Sequence, residues 1–297
     1  MTDAPAGKAV LTLRLVKFSH SIFALPFALM GAWLGAGGPP GAPTLGLIVV
    51  AAVAARTAAM AFNRYIDRDI DASNPRTAGR EIPSGQLSPA FAAGLTAVSS
   101  VVFVAVAFAL NPLAGKLSPV VLSVLLGYSL VKRFSALVHL ALGIALGLAP
   151  LGAWIAVRGS FEGDLGAILL LFVTVWTWVA GFDLIYSCQD AEFDAARGLH
   201  SIPARIGIAG ALRVSRALHV LSVAALVGVA LVGGLGWVFW GAVGVAALLL
   251  AWEQSLVRAD DLSRVDVAFF TLNGWVGVAL FVGLALDMAL LGTAQVA

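Results

Sequence analysis

The chain has a single cysteine, few charges, and no motif of the nucleotide-binding kind. Cys188 alone cannot make an internal disulfide or a zinc site built on several thiolates, and it reads as a small packed thiol. Only 11% of the 297 residues are charged, against roughly 25% in a typical soluble domain. The net charge is +2 and no strongly basic patch is present, which excludes nucleic acid as a partner. A GxGxxG turn between strand and helix is missing, and so is a P-loop. The 32 glycines therefore read as helix-packing material in lipid. No segment alternates with the period of two that marks a half-buried strand.

What the chain has instead is apolar length. Sixty per cent of it is hydrophobic, and runs of membrane-spanning length recur from end to end. Lipid cannot satisfy open backbone groups, so these runs are helices. The expected fold class is all-α: one polytopic membrane domain, 1–297, of nine transmembrane helices around a central cavity. The spans are expected near 18–37, 45–65, 89–110, 118–133, 136–157, 165–187, 212–232, 235–257 and 267–291. The first follows three basic residues without a small-residue cleavage site and reads as a retained helix. Pro26 and Pro150 fall inside the first and fifth spans and are expected to kink them.

Charge orients the spans. The amino-terminal segment carries Lys8, Arg14 and Lys17, and loop 2–3 carries Arg64, Arg68, Arg76 and Arg80. Loop 4–5 carries Lys132 and Arg133, loop 6–7 carries Arg197, Arg205, Arg213 and Arg216, and loop 8–9 carries Arg258 and Arg264. The opposite side has Lys116 and Arg158 alone. Positive loops stay inside, so the amino terminus and the rich loops are expected in the cytoplasm, with loops 2–3 and 6–7 capping the cavity. Arg56 is left within the second span, where a charge usually faces a cavity or a partner.

The most informative stretch follows that span: AFNRYIDRDIDASNPRTAGREIPSG, Ala61 to Gly85. Asn63, Asp67 and Asp71 are spaced i, i+4, i+8 and can share one helical face, while Asp69 points elsewhere. Three oxygen-bearing side chains on one stripe suit a hard cation such as Mg²⁺. The end of span six repeats the pattern in GFDLIYSCQDAEFDAARGLHSIPARIG. Asp190 and Asp194 are i, i+4, Tyr186 lies one turn before Asp190, and Asp183 is seven before it on the same side. Each cluster is followed by a basic residue, a hydroxyl, a proline and a glycine. A pseudo-repeat relating spans 1–4 to spans 5–8 follows, with the two acid clusters facing one another. His20, one turn after Lys17, is a candidate for substrate contact; His139, His200 and His219 lack metal-ligand spacing and read as structural or solvated. Carboxylates ringed by arginine and lysine suit a diphosphate bridged to the acids by Mg²⁺, and an apolar tail on that diphosphate would explain a site built into a bilayer protein.

With these motifs in view, the chain resembles the UbiA-type intramembrane aromatic prenyltransferases, most closely the 4-hydroxybenzoate polyprenyltransferases. NRYIDRDID with NPRTAGREIPSG, and YSCQDAEFD with GLHSIPARIG, carry the resemblance; KFSHSIFALPFALMGA and YSLVKR add to it. One departure is Arg64, which stands where the family's first motif often has aspartate. The resemblance implies Mg²⁺ ions held by Asn63, Asp67 and Asp71 on one side and Asp190 and Asp194 on the other. They would bind a polyprenyl diphosphate, with Arg64, Arg76, Lys132 and Arg197 meeting its remaining charge. The allylic cation would alkylate an aromatic acid in quinone biosynthesis, 4-hydroxybenzoate, or alternatively a naphthoate or another lipid-quinone precursor. Arg133 is the first candidate for the acceptor's carboxylate and Arg56 the second. A bacterial inner membrane is the implied location. The reading from another class is a cation transporter, which the arginines beside the acids disfavour.

Overall fold

The computed structural model describes residues 7–17 and 23–292; His20 lies outside them. Among the described residues the chain is all helix, apart from one isolated bridge between Arg258 and Asp261. Eight helices are long and apolar enough to cross a membrane, and Leu25–Ala36 is a shorter apolar ninth. The chain is thus an integral membrane protein with about the expected number of spans.

In order, α1 is Lys8–Leu15, α2 Leu25–Ala36, α3 Ala42–Ile66, α4 Arg68–Ser73, α5 Pro89–Leu110 and α6 Pro112–Val131. Then follow α7 Val138–Arg158, α8 Gly166–Ser187, α9 Ala191–Arg197, α10 Ile202–Val232, α11 Trp237–Leu256 and α12 Asn273–Leu291. Proline and cap chemistry set many of the starts. α5 begins at Ser88-Pro89 with the Ser88 hydroxyl accepting from the Phe91 N–H, and α6 begins at Asn111-Pro112 with the Asn111 side chain accepting from Ala114. The fourth span was expected to start near 118; the Asn111 cap starts it at Pro112 instead.

The two prolines stand differently in their helices. Pro26 lies in the first turn of α2, where its missing N–H has no helical partner to lose. Pro150 lies inside α7, yet the helix runs on unbroken to Arg158. Its place is explained by packing. Gly31 and Gly35 of α2, spaced as GxxxG, press against Pro150 and Trp154 of α7, and a Cβ on Gly31 would collide with the Pro150 carbonyl.

α8 is the most enclosed span and packs between α7 and α10, with Trp178, Val175 and Leu171 fully inside. α5 sits at the periphery, presenting Val98 and Val101 outward as a lipid-facing helix would. Gly207, at φ 75° and ψ 164°, breaks α10 and separates its first turn from the spanning part. Before α12 the backbone widens into a π-helical turn, Val267–Leu272. The Asn273 amide donates to the carbonyls of Ala268 and Phe269 and to Glu253, while its oxygen accepts from the Trp178 indole at 2.6 Å. That network holds Phe269 with its ring 4.3 Å from the ring of Tyr186.

α1 was not expected. Its Leu11 and Leu15 are buried in a small cluster with Ala61 of α3 and Ile82 and Leu87 of the loop after α4. This packing brings Lys17 to the acid-bearing end of the bundle, where the α3–α5 and α8–α10 connections meet.

Candidate functional site

Both acid clusters are built by the same local device. α3 ends at Ile66, Asp67 takes a non-helical conformation (φ −93°, ψ 2°), and the short α4 starts again with Asp71 in its first turn. α8 ends at Ser187, a 3₁₀ turn follows, Asp190 takes nearly the same conformation (φ −104°, ψ 3°), and α9 starts with Asp194 in its first turn. The stripe read from the sequence is therefore interrupted at each leading aspartate, but its direction survives. Asp67 and Asp71 are 2% and 4% exposed, while the Asp69 side chain is 86% exposed and pairs with Arg68.

The two connections close over one cavity of about 190 Å³. Asn63, Asp67 and Asp71 line it from one side and Asp190 and Asp194 from the other, with Arg64, Arg76, Arg80 and Lys132 between them. Asp67 accepts from the Lys132 ammonium at 2.7 Å, from Arg133 at 3.0 Å and from the Asn63 amide at 3.0 Å. Asp71 pairs with Arg80 at 2.7 Å, and Arg64 lies 3.9 Å away. Asp190 is gripped by both arms of the Arg76 guanidinium, the Nε contact being 2.9 Å, and by the Asn74 amide at 3.0 Å. Arg76 also donates to the Tyr186 hydroxyl at 2.9 Å. Asn74 and Arg76 thus tie the first connection to the second. Ser201, between the second acid cluster and α10, caps α10 by accepting from the Ala204 N–H at 3.4 Å.

These contacts set the local electrostatics. Burial pulls the Arg76 pKa down, but the bonds to Asp190 and Tyr186 outweigh it and hold the group above the usual arginine value. Burial, followed by the charges of Arg64 and Arg80, pushes the Lys17 ammonium below the usual lysine value. Lys17, Arg80, Asn74 and Thr77 were not singled out as site residues from the sequence; Arg80, Asn74 and Thr77 sit in the NPRTAGR run, where the density of basic and hydroxyl groups was the available signal.

Three of the expected substrate contacts, Arg197, Arg133 and Arg56, are not among the residues that line this cavity. Arg197 is exposed, lies over the Phe193 ring at 5.8 Å and does not line the cavity. The guanidinium of Arg133 is spent on Asp67 and on the backbone carbonyls of Ile66 and Ser129. Arg56 makes one bond, to the Lys17 carbonyl at 3.0 Å, and its Nε is buried without a partner. A guanidinium has five donors, so Arg56 keeps capacity that Arg133 has used.

The donor set fits a hard divalent cation. The candidate ligands are all carboxylate or amide oxygens on one cavity, and Asp71 Oδ2 is buried with no hydrogen bond. Among the described residues no three histidine, cysteine or carboxylate side chains converge on one point. Each cluster would thus complete a coordination shell with water and substrate oxygens, the usual habit of Mg²⁺.

Comparison with known proteins bears on what this arrangement does. The model of the UbiA prenyltransferase family matches residues 24–277. A 4-hydroxybenzoate octaprenyltransferase of Xanthomonas campestris pv. campestris (strain B100) is 35% identical over 259 residues, covering 87% of this chain and 84% of that protein. One from Aeromonas salmonicida is 31% identical over 271 residues, covering 88% and 89%. Among solved structures, the apo structure of a UbiA homolog from Aeropyrum pernix K1 superposes with a TM-score of 0.82 at 39% identity, covering 91% of this chain and 98% of that one. A UbiA homolog from Archaeoglobus fulgidus, solved bound to DMAPP and Mg²⁺, shares the fold with a TM-score of 0.73 at 16% identity, covering 94% and 99%.

Proposed function

The chain belongs to the UbiA prenyltransferase family, and from that premise we propose that it transfers a polyprenyl group from polyprenyl diphosphate to the ring of an aromatic acid, 4-hydroxybenzoate, in quinone biosynthesis. The observation that carries this reading is the mixed cavity: four aspartates interleaved with three arginines and a lysine where the two connections meet. Such a lining suits an anion that arrives with divalent metal better than either a bare cation or a bare anion. It also weighs against a cation pathway, because Asp67, Asp71 and Asp190 each already carry a basic partner. The relatives named as 4-hydroxybenzoate octaprenyltransferases support the acceptor.

Asn63, Asp67 and Asp71 would hold one Mg²⁺, and Asp190 with Asp194 a second. Bound there, Mg²⁺ would act as Lewis acid and template for the departing diphosphate. Lys132, Arg76, Arg80 and Arg64 bind the phosphate oxygens, with Lys17 adding to the positive field. Arg76 also fixes Tyr186, whose ring lies against Phe269. That aromatic face stabilises the allylic cation electrostatically. The crossed connections exclude water that would otherwise capture it. Arg56 rather than Arg133 orients the acceptor by its carboxylate, since it makes one hydrogen bond where Arg133 makes three. The membrane is a bacterial inner membrane, with the amino terminus and both connections on the cytoplasmic side, as the basic-residue asymmetry supports.

The test is prenyl transfer by the purified protein in lipid, with polyprenyl diphosphate, 4-hydroxybenzoate and Mg²⁺. Prenylated acid and pyrophosphate are expected, and excess EDTA should abolish both. Consumption of donor without ring prenylation, or full turnover in EDTA, would overturn the reading.

A further inference from the structure

A second and larger opening lies beside the acid cavity. Its volume is about 570 Å³, against about 190 Å³ for the acid cavity. One wall is the loop from α6 to α7, with Phe134 and Ser135, and the other is the connection from α9 to α10, with Leu199, His200 and Arg205. Leu199 lines both openings, so the two adjoin there. The His200 N–H donates to the Lys132 carbonyl at 2.8 Å and joins the walls.

The chemistry of this opening is the reverse of its neighbour's. No carboxylate lines it. Arg205 is exposed, and among the described residues its guanidinium has no hydrogen-bond acceptor and no acid within ion-pair distance. The His200 ring is exposed and equally without a partner among the described residues. The Ser135 oxygen accepts from the Leu137 N–H at 3.2 Å, which leaves its own proton free to donate. Donors converge here without acceptors, and a phosphate group supplies several acceptors at once.

The rim adds a second requirement. Phe134, Leu137 and Ile206 are 69%, 57% and 51% exposed. Phe134 and Leu137 stand between the spans α6 and α7, and Ile206 stands just before Gly207, where the spanning part of α10 begins. The opening therefore lies at the level where spans meet the membrane surface. A soluble anion would account for Arg205 but not for three large apolar side chains around it. A neutral lipid would account for the apolar rim but not for the unpaired cation. An anionic phospholipid accounts for both, and a volume of about 570 Å³ falls within the roughly 300–1,000 Å³ of sites that hold small molecules. We infer that this opening binds the phosphate headgroup of an anionic phospholipid from the leaflet on the acid-cluster side. Arg205 and His200 hold the phosphate, and Phe134, Leu137 and Ile206 lie against the acyl chains. The bound lipid bridges the two loops beyond Lys132 and Asp194, and so braces the wall shared with the acid cavity.

The experiment needs no enzymatic activity. The full chain in detergent is titrated with dioleoylphosphatidylglycerol, with dioleoylphosphatidylcholine, or with inorganic phosphate. Bound lipids are counted by native mass spectrometry, and melting temperature is followed in parallel, because a ligand of the folded state raises it. The wild type should retain one phosphatidylglycerol in preference to phosphatidylcholine and melt higher with it. Arg205→Gln should weaken phosphatidylglycerol binding by roughly 5- to 10-fold, the worth of one basic group at an anionic lipid surface, and lose most of the melting shift. His200→Gln, which leaves the backbone bond to Lys132 intact, should weaken it less and in the same direction. Arg216→Gln, which removes an exposed basic residue of α10 away from the opening, should bind like the wild type. Equal retention of the two lipids by the wild type would overturn the inference. So would unchanged binding in Arg205→Gln, or an equal loss in Arg216→Gln, which would mean a diffuse positive surface. Inorganic phosphate that raises the melting temperature as much as phosphatidylglycerol does would overturn the lipid and leave a site for a free anion.

Discussion

The sharpest prediction separates two arginines that the sequence ranks the other way round. Arg56→Ala removes a guanidinium with one hydrogen bond, to the Lys17 carbonyl, and one buried nitrogen without a partner. If its remaining donors hold the acceptor's carboxylate, the variant loses a charge-assisted bond of about 1.5–3 kcal/mol. That corresponds to a fall of roughly 10- to 150-fold in kcat/KM for 4-hydroxybenzoate, with kcat/KM for the donor much less affected. Arg56→Lys should recover only part, since an ammonium lacks the planar fork. Arg133→Ala should behave differently. It removes the 3.0 Å contact to Asp67 and the 2.8 Å bond to the Ile66 carbonyl, which brace the break between α3 and α4. Its defect should appear in the donor KM and in thermal stability. Steady-state kinetics with each substrate varied at saturation of the other, plus melting curves in detergent, decide the matter. A larger acceptor-specific defect in Arg133→Ala than in Arg56→Ala would refute the argument from donor capacity.

The two acid clusters should act as one unit. Asp67→Ala and Asp190→Ala should each lower turnover by orders of magnitude, and the double variant should be little worse than either, because residues of one assembly are non-additive; multiplicative losses would mean separate sites. At the α2–α7 crossing, Gly31→Ala should destabilise the protein by about 1–3 kcal/mol or more through overpacking against the Pro150 carbonyl. A Gly31→Ala variant that melts like the wild type would show that the crossing has slack the packing does not suggest.

Much of the fold was legible because lipid leaves the chain few options. Span three was expected at 89–110 and α5 occupies Pro89–Leu110; span six was expected at 165–187 and α8 occupies Gly166–Ser187. Both have sharp polar or proline boundaries. The misjudged ends follow from non-local or short-range chemistry. α10 starts ten residues earlier than expected, because the Ser201 cap begins a first turn that Gly207 then breaks. α1 has only eight residues and no long apolar run, so its helicity depends on tertiary burial of Leu11 and Leu15.

The site was legible in its residue types and less so in its partners. Helical spacing alone put Asp67 and Asp71 inward and Asp69 outward, and that survives the break at Asp67 because Asp71 still donates its N–H to the Asp67 carbonyl at 2.8 Å. Spacing could not say which basic group meets which acid, since those bonds join residues as far apart as Arg76 and Asp190. The pairing explains why the cavity tolerates so many carboxylates. Asp67 meets Lys132 and Arg133, Asp71 meets Arg80, and Asp190 meets Arg76. Buried charges left unpaired would each cost several kcal/mol, so the balance is a condition of folding. On the proposed reading it is also a condition of recognition. A diphosphate alone, or a divalent metal alone, would upset the balance, whereas the two together exchange partners with it: carboxylates turn to metal and guanidinium groups turn to phosphate. On that reading, the ion pairs that stabilise this end of the bundle would also select a metal-bound diphosphate over either component.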